Sequence, residues 1–138
     1  METNRTCVKV HGMRMAMGIY LLIHGLCHVV GFVVPWKILT MKEEPYRTTL
    51  MAGTIQVGDI GIRIVGLLWL LACVAFMVSG IGVLASRAWW RTMLLPLALA
   101  SSVLCVLGLP GAKIGILANG LVLAYLAGAS LRWLPTID

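Results

Sequence analysis

Apolar residues in this chain run continuously instead of alternating, and they fall into four windows separated by polar breaks. The windows cover 15–36, 64–85, 92–109 and 114–131. At about 1.5 Å of rise per residue, each is long enough as a helix to cross roughly 30 Å of hydrocarbon. The formal charges nearest to them are Arg14, Arg63, Arg87, Arg91, Lys113 and Arg132, all outside or at the window edges. The pattern predicts an all-α protein, an integral membrane antiparallel four-helix bundle in a single domain over 15–131. A short basic tail (1–14) precedes it, a surface loop (37–60) joins the first two spans, and a short tail (132–138) follows.

The breaks between windows set the topology. The loop holds the solvated run Lys42-Glu43-Glu44-Pro45-Tyr46-Arg47 and then a moderately apolar stretch broken by Gly53 and Gly58. The second break, around 86–90, places Trp89 and Trp90 as aromatic anchors at headgroup level. The third, 108–113, has tight-turn composition with Pro110 flanked by glycines nearby. Short links force neighbouring helices antiparallel. Small residues at three- and four-residue steps mark close helix approaches: Ala98, Ser102, Cys105 and Gly108 in the third span, Gly120, Ala124 and Gly128 in the fourth. The fourth-span ladder permits a homodimer, and a larger membrane partner is the other association the sequence allows.

Composition excludes several classes. The chain is 60% hydrophobic and 12% charged, with mean hydropathy +0.97, where soluble domains hold about 45–50% and about 25%. Its net charge of +6 comes from single basic residues at span ends, which snorkel to headgroups, so no nucleic-acid partner is expected. The first window is too long for a signal h-region and ends in Val33-Val34-Pro35-Trp36, which offers no small-residue cleavage pattern. The basic residues divide almost evenly between the two sides. The tail before the first span points to a cytoplasmic N-terminus in a multi-pass protein of the cytoplasmic membrane. Cys7, Cys27, Cys73 and Cys105 form no C-x-x-C pair, which argues against a thiol–disulfide oxidoreductase.

His24 and His28 lie one helical turn apart inside the first window. Ionisable groups at that depth cost free energy unless paired or hydrated, and they default to a functional reading. Tyr20, His24, His28 and Gly31 share one helix face. Depth bookkeeping puts His28 about 12 Å and His24 about 18 Å below the end of the span at Trp36. Asn119 falls about 9 Å and Ser102 about 10 Å from the same side. The Asp59–Arg63 pair begins the second span there. The expected site is therefore a polar pocket in one leaflet, under the long loop, lined by Tyr20, His24, His28, Asp59, Arg63, Ser102 and Asn119.

What the pocket does is open at this level. A metal centre lacks further ligands at suitable spacing, since structural zinc normally takes four. Bis-histidine haem needs a His from a second span, and the other spans have none. No cofactor is expected, with a bound lipid or quinone left open. A proton-coupled carrier would use His24 or His28 in place of the missing membrane carboxylate. An enzyme would use the histidines as acid–base groups, Ser102 as nucleophile and Arg63 as anion clamp; no catalytic residue is assigned. The plain alternative is interhelical hydrogen bonding, worth about 0.6 kcal/mol per contact.

The stretches Leu22-Ile23-His24-Gly25-Leu26-Cys27-His28-Val29-Val30-Gly31-Phe32, Gly66-Leu67-Leu68-Trp69-Leu70-Leu71-Ala72 and Ala112-Lys113-Ile114-Gly115-Ile116-Leu117-Ala118-Asn119 together resemble a group of small bacterial four-span proteins called DoxX-like or, loosely, permease-like. The resemblance covers about 20–131 and implies the four-span fold without implying a reaction. One departure is Gly111, where that pattern has Asp before Ala-Lys.

Overall fold

A computed structural model describes residues 2–131, with side chains described from Val10 onward. The tail 132–138 lies outside the described residues. Helix α1 spans Glu2–Cys27, a short α2 follows at Val30–Val33, and α3, α4 and α5 span Gly58–Leu84, Trp90–Leu107 and Lys113–Ser130. Four helical stretches are long and apolar enough to cross a membrane, and they pack together.

Two boundaries differ from the sequence expectation. The basic residues of 2–14 are helical and continue directly into the first span, because nothing between Glu2 and Cys27 breaks a helix. The third helix begins six residues early, at Gly58, and draws Asp59 and Arg63 into its opening turns. The remaining loop is folded: β1 (Thr49–Leu50) pairs antiparallel with β2 (Ile55–Gln56) through a 3-10 turn at Met51–Gly53. Met51 and Ala52 take left-handed φ values of 47° and 56°.

Glycines set the helix approaches. Gly18 lies against Leu84 and Gly80, Gly25 against Phe76 and Cys73, and Gly31 against the Trp69 ring. Residue numbers rise on one helix as they fall on the other, so the first span and α3 run antiparallel. Gly115 against Cys105 and Asn119 against Ser101 give the same sense for α4 and α5. The fourth-span ladder behaves differently. Gly128 is buried, whereas Gly120 and Ala124 face outward and a Cβ at Gly120 would touch nothing.

One half of the bundle holds the main cluster of buried apolar side chains. Leu21, Phe76, Trp90, Leu94, Ala98 and Val122 form its centre, all at most 1% exposed. Trp90 thus belongs to the core. Only Trp89 of the expected anchor pair is exposed, its indole lying over Gly82. The outer faces carry Ile60, Leu71, Val103, Leu117 and Leu121, all largely exposed. Soluble monomers rarely show contiguous apolar patches above a few hundred Å², so these helices are compatible with a multi-pass membrane protein.

Candidate functional site

The first span does not run straight through its histidines. At His28 the backbone tightens: its N–H bonds to Gly25 O at 3.0 Å, and Val29 N–H to Leu26 O at 3.1 Å. That three-residue pattern leaves the His24 carbonyl without its usual helical donor. A polar group orphaned in an apolar interior costs several kcal/mol. The His28 ring makes good the loss, its Nδ1–H donating to His24 O at 2.8 Å. A side chain inserted into the helical ladder is a recognised cause of a kink, and here the ring that occupies the break is His28 itself.

This bond fixes the rest of the network. With Nδ1 carrying the proton in the neutral ring, His28 Nε2 accepts from the Ser101 hydroxyl at 2.7 Å. Ser101 Oγ accepts in turn from Asn119 Nδ2 at 2.8 Å, and the other amide hydrogen reaches Cys105 Sγ at 3.6 Å. Asn119 Oδ1 then accepts from His24 Nε2–H at 3.0 Å. The chain of donors runs His24 to Asn119 to Ser101 to His28 and back to the His24 carbonyl. It is complete with both imidazoles neutral, and each step is dictated by the one before. Three elements, the first span, α4 and α5, are tied by it.

The two histidines therefore differ. His28 uses both ring nitrogens. His24 uses Nε2 only, and its Nδ1 has no hydrogen-bond partner among the described residues. Aromatic rings hold both in place: Phe76 lies 4.6 Å from the His24 ring and 5.2 Å from the His28 ring, and Trp69 lies 5.1 Å from His28.

A cavity of about 530 Å³ opens beside this network, under the β1–β2 hairpin. Tyr20, His24, His28 and Trp69 line it from the helices, and Glu44 and Arg47 line it from the loop. Tyr20 is fixed by its hydroxyl, which donates to Ala118 O at 2.8 Å. The hairpin is held over the cavity by Ala52 N–H bonding to Leu109 O at 2.8 Å, next to the cis Leu109–Pro110 bond. The Glu44 carboxylate packs onto Gly111, in space that a side chain at 111 would fill.

The expected site residues separate into two groups. Tyr20, His24, His28 and Asn119 come together, the first three on the cavity wall and Asn119 directly behind it. Ser102 does not join them: its hydroxyl turns back to Ala98 O on its own helix at 2.7 Å, and the neighbouring Ser101 takes the place expected of it. Arg63 and Asp59 also stay apart, since the early start of α3 carries both to the exposed end. There Arg63 lies 6.0 Å from the Trp36 ring, and Asp59 accepts from Tyr46 and faces Lys37 at 4.0 Å. The hydrogen bond to the Asp59 carboxylate, with some burial, raises the Tyr46 phenol above its ordinary pKa. Sequence reasoning missed Trp69, Glu44, Arg47 and the hairpin. Only the small-residue step from Gly31 hinted that a large ring would lie over it.

Chemically, Ser101 and His28 have the spacing of a nucleophile and its base. Ser101 is 0% exposed and does not line the cavity, so no substrate reaches its oxygen. The pair acts as a lock between helices. Among the described residues no group of three or more His, Cys, Asp or Glu is placed to hold a metal ion. Compared with family models, curated proteins and solved structures, the chain matches none.

Proposed function

We propose that this protein is a small polytopic membrane protein whose hairpin-covered cavity binds a small, largely apolar or lipid-derived molecule. The observation that carries the reading is the cavity of about 530 Å³, with His24 Nδ1 unpartnered beside an otherwise closed polar network. Ligand sites are typically about 300–1,000 Å³, mostly apolar, with a few placed polar groups. An ionisable group kept in a membrane span beside such a space is a functional feature by default. In the same reading the chain is a DoxX-like four-span protein of a bacterial cytoplasmic membrane, its N-terminus inside, acting alone, as a dimer through α5, or beside a larger membrane partner.

Native mass spectrometry of the protein released from mild detergent tests this. A retained or added small apolar molecule at one per chain is the expected result. A chain that neither retains nor takes up any such molecule contradicts the proposal, and retention of a partner chain alone moves the function to assembly.

A further inference from the structure

The cavity's polar inventory narrows the ligand. His24 Nδ1 is an acceptor without a donor, and the Trp69 indole N–H, also on the wall, has no acceptor among the described residues. Tyr20 OH is already committed to Ala118 O, and both nitrogens of His28 are engaged. On the loop side Glu44 and Arg47 carry opposite charges, so the lining favours neither sign on the ligand. A group that both gives and takes one hydrogen bond, on a neutral apolar body, matches this set. A carbonyl or an ether only accepts and leaves His24 unanswered.

We infer that the cavity selects a neutral amphiphile bearing a hydroxyl group, which donates to His24 Nδ1 while its apolar body fills the space beneath the hairpin. The inference rests on the proposed binding function and deepens it. A site built to hydrogen-bond a ligand hydroxyl discriminates against the analogue that lacks it, because the buried acceptor is then left unpaired.

The test uses two probes of nearly equal size, para-heptylphenol and para-heptylanisole, which differ in O–H against O–CH₃. Binding to the full chain in lipid nanodiscs is measured and corrected for partition into empty nanodiscs. The phenol is expected to bind about tenfold more tightly, and His24→Leu brings that ratio to about one. If His24→Leu does not fold, the wild-type ratio decides alone. Equal affinity for the two probes overturns the hydroxyl inference and leaves the binding function standing, whereas binding of neither overturns both. Competition by decanol as strong as that by the phenol assigns the hydroxyl to a lipid-type alcohol, and no competition assigns it to an aromatic ring.

Discussion

The two halves of the bundle are built from the same helices and solve opposite problems. Around Phe76, Trp90 and Leu94 the helices are filled with side chains that are at most 1% exposed. Around His24 they are tied by a ring of side-chain hydrogen bonds and border a cavity. Association of helices in lipid gains little from hydrophobicity and depends on packing and interhelical hydrogen bonds. The filled half uses the first means. The hollow half, with less surface to pack, uses the second, and Ser101, Asn119 and the two histidines carry it.

That division is open to attack, beginning where the effect is largest. Leu94→Ala leaves a void in the filled half and should cost roughly 2–5 kcal/mol, toward the lower end because lipid replaces water as the reference environment. Denaturant or thermal unfolding in detergent measures it, and a loss below about 0.5 kcal/mol would mean that this half is not close-packed. Ser101→Ala strips His28 Nε2 and Asn119 Nδ2 of their partner and should cost about 1–3 kcal/mol. Ser102→Ala removes only a bond to its own helix and should change stability by under about 0.5 kcal/mol. Comparable losses in the two serine variants would remove the network from the account.

Glycine substitutions sharpen the contrast along a different axis. A Cβ at Gly25 would stand 2.9 Å from Phe76 Cβ and 3.1 Å from the Cys73 carbonyl, so Gly25→Ala must push α3 away. About 1–3 kcal/mol should be lost. Gly120→Ala meets nothing in the single chain and should gain up to about 1 kcal/mol from helix propensity. A loss at Gly120, tracked with oligomeric state, would instead report a dimer through α5. The smallest effect concerns the exposed end. The Tyr46 phenol should ionise above its ordinary range and fall back toward it in Asp59→Asn, since the carboxylate that accepts its proton favours the protonated form. Ultraviolet difference titration reads this directly, and an unchanged titration curve would show that Tyr46 and Asp59 do not pair in solution.

The sequence carried the four long apolar helices well because long uncharged windows leave few alternatives. Rise per residue also brought His24, His28 and Asn119 toward one pocket, but it set Asn119 level with His28, whereas the amide oxygen bonds to His24. Rotation itself is a different matter. Choosing between Ser101 and Ser102 takes about 100° on a helix, which a bundle's packing decides and a depth count cannot. Asp59 and Arg63 are a different case. The apolar window opens at Ile64, whereas α3 begins at Gly58 and carries both charges on exposed positions of its opening turns. The kink at His28 was invisible for a physical reason as well: no proline marks it, and its cause is a ring that substitutes for a backbone donor.

The account stands most directly on whether the hollow half is a specific receptacle. Val65 lines the cavity from α3, and Val65→Trp adds bulk there while leaving the four hydrogen-bonding side chains unsubstituted. Native mass spectrometry of both proteins from nanodiscs loaded with para-heptylphenol should show one bound phenol on the wild type and none on the filled variant. Equal loading of the two would contradict a binding cavity and reduce the histidine network to a device for holding helices together.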